Sequence, residues 1–244
     1  MYNQLFMTLP VFIDQWGNTA IVYDSIAGVC PSLAEKLGTR EGTIPAELMV
    51  NVDAGFIILF QIVISSLVMR FQPLRVMISG ILIASIGMGL SLATQNGLFI
   101  VAAIFIFAIG EMSSSPKITE YIGRIAPHDK TALYMGCSFI PVAIGYLFAG
   151  IISGNVYQGM SDKITLAQSE ATARGFDIPV ISQNFTQNDY LKATAEKMGM
   201  DMNQLTQFLW DKYEPSSIWI VITGIGIAAA VSLLLYDLLL MKKR

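Results

Sequence analysis

Charged residues, cysteine and histidine are scarce in this 244-residue sequence, and each scarcity excludes a class of protein. Charged residues make up 14% of the chain, against about 25% in an ordinary soluble domain. The 15 lysines and arginines are fewer than the 18 acidic residues, and they form no patch interleaved with aromatic residues, so we expect no nucleic-acid partner. Cys30 and Cys137 lie far apart, and the single histidine, His128, stands in a short loop. We therefore predict no disulfide framework, no metal site and no cofactor.

The residues in excess are apolar, at 54% of the chain, and they are concentrated in long runs. A helix needs roughly 20 apolar residues to cross the hydrocarbon of a bilayer. The pattern predicts an all-α polytopic membrane protein with spans at about 54–69, 76–93, 98–121 and 133–156, and a final span within 217–244. The runs behind this prediction are Ala54–Met69, Val76–Ala93, Leu98–Gly110, Leu133–Val156 and Ile218–Leu240.

Two further segments complete the predicted domains. The opening segment, about 2–16, is too short to span, and we expect it to be the second half of a helix whose first half lies outside the sequence. A loop is predicted over 17–51. The acidic stretch 157–216 is predicted to be an extramembrane insert of three helices, two of them ended by Gly175 and Gly199. The apolar stripe of its last helix, which includes Leu205 and Leu209, is predicted to pack against membrane domain 1–156.

Basic residues of the short connections fall in alternate connections, which predicts an orientation; the lysines of the long insert do not count against it, because long loops are translocated largely regardless of charge. Those of the short connections occur at 70–75, at 117–130 and in the tail 242–244. If every run spans once, all three groups lie on the same side, and the positive-inside rule makes that side cytoplasmic. We therefore predict a multi-pass protein of the inner (plasma) membrane, with a cytoplasmic C-terminus and the insert 157–216 on the outer side.

Carboxylates inside membrane spans are rare and usually functional. Glu111 stands out because it directly follows the uncharged run Leu98–Gly110. Small serines and Pro116 follow it, and they favour close helix packing or a cavity. There a carboxylate can bind a cationic group or hold a transferable proton; the alternative is a structural hydrogen bond to a neighbouring helix. Other carboxylates in or near the predicted membrane helices are Asp14, Asp53, Glu120 and Asp237.

These other carboxylates have simpler explanations. Asp14 and Asp53 are expected near the outer ends of their helices, either as an external gate or as solvated helix-end groups. Glu120 is spaced to form a surface salt-bridge cluster with Lys117 and Arg124.

The stretch Gly110–Gly150 carries a gapless series of matches to one family. This stretch resembles the tenth and eleventh helices of the proton-coupled oligopeptide transporters of the major facilitator superfamily. That family has Gly-Glu-Leu-x-x-Ser-Pro, then a basic residue before Ala-Pro, then Met-Gly-x-Trp-Phe. The matching residues are Gly110, Glu111, Ser115, Pro116, Arg124, Ala126-Pro127, Met135-Gly136, Phe139 and Ala149-Gly150. Tyr2-Asn3-Gln4 is similar to a run in the family's seventh helix, and Asn51 to the asparagine that opens the eighth.

The resemblance implies the C-terminal six-helix bundle of a major facilitator fold, with its first helix truncated. It implies that Glu111 meets the amino terminus of a small peptide and that proton influx drives uptake. The substrate- and proton-binding residues it implies are Tyr2, Asn3, Gln4, Asn51, Glu111 and Ser115. The implied partners are membrane lipid, a small-molecule or peptide substrate, protons and the missing N-terminal half.

Two residues depart from the family pattern near the implied cavity. Ser138 replaces a tryptophan, and Ile118 replaces a glycine. A symporter for a non-peptide solute therefore stays open. A non-transporting fragment or one chain of a split transporter also stays open, since we expect that this chain cannot transport alone. No catalytic residue is predicted, because no metalloprotease or serine-hydrolase motif occurs.

Overall fold

The computed structural model describes residues 1–91 and 94–241, and the regular elements of these residues are helices. The end of the second predicted span, 92–93, and the basic tail 242–244 lie outside the described residues. The α-helices are α1 Gln4–Met7, α2 Leu9–Trp16, α3 Ala20–Val29, α4 Pro31–Leu37, α5 Ala46–Val68, α6 Pro73–Leu90, α7 Gly97–Ile125, α8 Thr131–Cys137, α9 Phe139–Ile151, α10 Tyr157–Met160, α11 Lys163–Ala173, α12 Gln187–Met198, α13 Met202–Tyr213 and α14 Ile218–Tyr236.

Five helical stretches of the described chain are long and apolar enough to cross a membrane, which confirms the predicted count. They are Ala46–Val68, Pro73–Leu90, Gly97–Ile125, His128–Ala173 and Pro215–Leu239. The fourth stretch runs on from the apolar α8–α9 into the polar α11, and its charge-free run extends from Thr131 to Ser161. A break between α8 and α9 falls at Ser138, because Pro141 has no N–H for the carbonyl of Cys137.

The segment before the first span differs from the predicted loop. It contains α3 and α4, and α5 begins at Ala46 rather than near residue 54. Pro45 precedes α5 and Pro31 opens α4, at positions where a missing N–H costs nothing. The early start of α5 places Asp53 two turns inside the helix instead of at its end.

The centre of the bundle is the contact between α6 and α7, which approach closely through small residues. A β-carbon added to Gly110 would collide with the backbone of Gly80 and Ala84 on α6. A β-carbon added to Gly87 would collide with the backbone of α7 at Phe107. Backbones this close leave no room for larger residues, so the sequence of small residues fixes how the two helices pack. The last span, α14, packs on the other side of α6, where Gly226 contacts Ser85.

Connections group at two opposite ends of the bundle. At the insert end, Asn18 donates from its backbone N–H to the carbonyl of Gln95 at 2.7 Å, and Gln15 bonds Asp162 at 2.8 Å. These contacts join the end of α2 to the turn before α7 and to the start of the insert. At the arginine end, a cleft is formed by Arg75, Arg124 and Asp237 with their neighbours.

The insert contains the three predicted helices, α11, α12 and α13. Gly175 and Gly199 follow α11 and α12 with φ of 68° each, the left-handed conformation that glycine adopts without strain. The buried Glu170 accepts hydrogen bonds from Arg174 and Lys212 at 2.6 Å and from Tyr213 at 2.8 Å. This carboxylate ties α11 to α13.

The last helix of the insert contacts α2 through Trp210, a residue outside the predicted apolar stripe. Trp210 of α13 lies against Phe12 and Trp16 of α2, with ring centroids 6.0 and 5.8 Å apart. Leu205 and Leu209 of the same helix are fully buried. Trp16 donates to the carbonyl of Ser161 at 2.9 Å. The insert and α2 therefore form one packed unit.

Candidate functional site

The first group of polar side chains lies at the start of the chain, on the short helix α1 and the residues just before it. The Tyr2 hydroxyl bonds that of Ser114 on α7 at 2.7 Å, and the Tyr2 ring contacts Phe107 edge-on at 5.6 Å. The fully buried Gln4 donates to the carbonyl of Ala149 on α9 at 3.0 Å and accepts from the hydroxyl of Thr8. These hydrogen bonds join α1 to α7 and α9.

Two carboxylates in the neighbouring helices have buried oxygens without a hydrogen-bond partner in the described part of the chain. They belong to Asp53 of α5, which is 1% exposed, and to Glu111 near the middle of α7. Their helices pack against each other, since the rings of Phe56 on α5 and Phe105 on α7 have centroids 4.8 Å apart. Tyr2 contacts α7 at Ser114, three residues after Glu111. A buried carboxylate without a partner is costly, so such a position points to something that binds there.

The sequence of α5 explains why Asp53 faces inward. Ala46, Met49, Val50 and Asp53 are its buried residues, and their spacing of three and four places them on one helical face. Gln61 lies on the same face two turns later and donates to the carbonyl of Met112 at 3.2 Å. This bond ties α5 to α7 one residue beyond Glu111.

The residues that the resemblance implies as a site are only partly brought together. Tyr2 contacts Ser114, three residues after Glu111 on α7, whereas Ser115 and Asn51 are exposed. Asn3 is half-buried and accepts at its backbone carbonyl from Met7 at 3.1 Å.

Sequence reasoning missed Ser114 and Gln61 and did not join Asp53 to Glu111. The signal for Asp53 was available, because Asp53 and Gln61 are eight residues apart and thus share a face of α5. Ser114 could not be told from Ser113 or Ser115 without knowing which face of α7 meets α1.

The two predicted gate residues have different surroundings. Asp53 is buried and lies two turns inside α5, so the expected solvated helix end is wrong for this residue. Asp14 is exposed at the insert end, beside a polar cleft. The predicted salt bridges of Glu120 are confirmed: Glu120 pairs with Lys117 at 2.7 Å and with Arg124 at 2.5 Å. Lys117 itself is buried, so the cluster does not lie wholly on the surface.

Among the described residues, no group of three or more His, Cys, Asp or Glu side chains is arranged to hold a metal ion. The site is therefore built from two carboxylates, a tyrosine–serine pair and amides.

These features define a polytopic helical membrane protein with unpartnered carboxylates inside its bundle. Residues 6–161 match the Major Facilitator Superfamily. Because this match covers more than half of the chain, the protein belongs to that superfamily of membrane transporters, which are generally not enzymes. The resemblance seen in Gly110–Gly150 is thereby confirmed at the level of the superfamily. Comparisons with curated proteins and with solved structures give no match.

Proposed function

We propose that the protein is one bundle of a proton-coupled symporter for small solutes of the di- and tripeptide class. The observation that carries this proposal is that Asp53 is buried and Glu111 is half-buried, and that each has a buried oxygen without a hydrogen-bond partner among the described residues. Two negative charges in one apolar region are costly, and a proton or an ammonium group offsets that cost. Such a pair is suited to exchange a proton for the amino group of a solute.

The surrounding groups complete the proposed pocket. Tyr2 and Ser114 supply hydroxyls beside Glu111, and Gln61 supplies an amide one residue away. Following the family resemblance, Asn3, Gln4, Asn51 and Ser115 line the same pocket when the second bundle is in place.

A second bundle is part of the proposal, because two spans have little contact with the rest of the chain. Only 17% of the apolar window of α5 and 6% of that of the fourth span are buried, against 61% for α6 and 56% for α7. Substrate sites in such transporters lie between two structural repeats. The exposed faces of α5 and α8–α9 fit a partner bundle there.

The proposed orientation places the arginine end in the cytoplasm and the insert, 157–216, outside the plasma (inner) membrane. Its support is the positive-inside distribution of basic residues in short connections. Domain 1–156 and the final span, within 217–244, then form the membrane part.

A symporter for a non-peptide solute is the second candidate. The observation that favours it is Ser138, a small residue where the peptide transporters have a large aromatic ring. A competition experiment separates the two candidates. Trialanine should inhibit uptake by a peptide symporter, whereas a sugar or an organic acid should inhibit uptake by a symporter for a non-peptide solute.

The test is uptake by the transporter assembled with its second bundle in liposomes that carry a proton gradient. We expect Glu111→Gln to abolish proton-driven uptake, because the amide can neither release a proton nor pair with an ammonium group. The matched control is Glu35→Gln, at an exposed position of α4, which should leave uptake unchanged. Normal uptake by the Glu111 variant would make that carboxylate a packing group. Liposomes with this chain alone should show no uptake.

A further inference from the structure

A polar cleft at the insert end is separate from the Glu111 region. It lies between α2, the turn before α7 and the insert, and its volume is about 560 Å³. This is within the roughly 300–1,000 Å³ of small-molecule sites. Its lining is mainly amide, hydroxyl and charged side chains, among them Asp14, Gln95, Lys163, Asn203 and Gln207.

The cleft contains two opposite charges that do not pair with each other. The Lys163 ammonium donates to the carbonyl of Gln15 at 3.0 Å and lies 5.4 Å from the centroid of the Trp16 ring, which fixes its position. Asp14 is exposed and lines the same cleft as Lys163. The ion pairs found in the described residues do not include one between these two groups.

An unsatisfied donor lies in the same cleft. The side-chain nitrogen of Gln95 is buried and has no acceptor among the described residues. Leaving such a donor unpaired costs about 1–3 kcal/mol. A carboxylate or carbonyl oxygen in the cleft would remove that cost. Gln207 donates to Asp211 at 2.8 Å, so its carbonyl oxygen can still accept from a ligand.

We propose that this cleft is an outer binding site for a small zwitterion, with the ammonium group on Asp14 and the carboxylate on Lys163 and Gln95. It collects the solute on the outer side, before the solute reaches the Glu111 region. The choice of a peptide as the probe rests on the proposed function, whereas the charge match does not.

The test is isothermal titration of the 244-residue chain in lipid nanodiscs with trialanine. Asp14→Asn should weaken binding about tenfold or more, the change that ~1.4 kcal/mol produces. Asp24→Asn is the matched control, because Asp24 is also exposed but does not line the cleft. It should bind as the unchanged protein does. Equal affinities of the two variants, or no heat from the unchanged protein up to about 10 mM trialanine, would overturn the proposal.

Blocked ligands test the same point without a mutation. N-acetyl-trialanine lacks the ammonium group and trialanine amide lacks the carboxylate, so each should bind about tenfold more weakly than trialanine. If either blocked peptide binds as tightly as trialanine, the proposed recognition of both charged ends in the cleft is wrong.

Glu111→Gln separates this proposal from the proposed function. The variant should keep binding that Asp14→Asn weakens, even though it does not transport. Loss of all binding in the Glu111 variant would place the solute at Glu111 alone and overturn the outer site. Unimpaired uptake by the Glu111 variant, with binding still sensitive to Asp14, would overturn only the proposed function.

Discussion

Neighbouring serines on α7 have different surroundings, and the difference can be measured. The Ser114 hydroxyl donates to the carbonyl of Gly110 at 2.8 Å and accepts a hydrogen bond from the Tyr2 hydroxyl at 2.7 Å. Ser115, in contrast, is exposed. Ser114→Ala leaves the Tyr2 hydroxyl without this partner, and we expect it to cost about 1–3 kcal/mol of stability. Ser115→Ala should stay within about 0.5 kcal/mol. Thermal unfolding of both variants in the same detergent checks this, and equal midpoints would contradict it.

Asp189 in the insert predicts a local pH dependence. Hydrogen bonds from the backbone N–H and the hydroxyl of Thr186, at 2.9 and 2.8 Å, hold the pKa of Asp189 below its usual value. The carboxylate therefore stabilises the start of α12 above about pH 3.9, the pKa of a free Asp side chain. This stabilisation is lost as the pH falls through the lower, folded pKa.

The measurement is hydrogen exchange of the α12 amides between pH 6 and pH 3, corrected for intrinsic rates. Protection should fall toward pH 3 in the unchanged protein. Asp189→Asn does not titrate and should remove this dependence. A decline of the same size in the variant would show that another group causes it.

The sequence could identify candidate residues more completely than it could identify the residues they contact. Glu111 could be found because it interrupts an uncharged run, and Glu120 because its partners lie three and four residues away on its own helix. The partners of Asp53 and Ser114 lie on other helices, and no local spacing encodes how two helices are rotated against each other.

Among the helices, the closest contact of the bundle predicts opposite effects for two glycines. Alanine favours a helix by about 1 kcal/mol over glycine, so Gly224→Ala, at an open position of α14, should be neutral or stabilising. At Gly110 the added β-carbon would meet the α6 backbone. Overpacking of this kind costs about 1–3 kcal/mol, and Gly110→Ala should therefore destabilise. The melting temperature of Gly224→Ala should equal or exceed that of the unchanged protein, and that of Gly110→Ala should lie below it.

The spanning helices were predictable because the length of an apolar run directly reflects bilayer thickness. The helices α3 and α4 were not predictable in this way, and neither was the early start of α5. Their sequences mix apolar and polar residues, so they form where tertiary contacts, such as the burial of Met49 and Val50, decide the outcome.

For the whole molecule, Cys30 provides a test of the proposed orientation. It lies between α3 and α4 at the insert end, half-buried. Hydrogen bonds from the Ser32 hydroxyl and the Leu33 N–H lower the pKa of the Cys30 thiol, which raises the fraction of reactive thiolate at neutral pH. A membrane-impermeant maleimide should therefore label it from outside intact cells. Cys30→Ser should abolish this labelling, and a Gln72→Cys thiol at the arginine end should react only after permeabilisation. The reverse pattern would invert the orientation.

The superfamily could be identified from the order of motifs between Gly110 and Gly150, since a gapless order survives where individual residues change. The docking of the insert onto α2 could not be predicted from the sequence, because its contacts join residues about 145 positions apart.

That separation has a consequence for how the protein is made. Gln4 bonds Ala149, and Trp16 bonds Ser161, both 145 residues later, while the ring of Phe12 packs on Trp219 at 5.2 Å. A ribosome adds about 5–20 residues per second, so the partners 145 residues away emerge roughly 7–30 s after the opening helices, and Trp219 emerges later still. During that interval the polar Gln4 and Gln15 lack their final partners. Membrane insertion factors or chaperones that shield polar helices would then have their longest contact with α1 and α2.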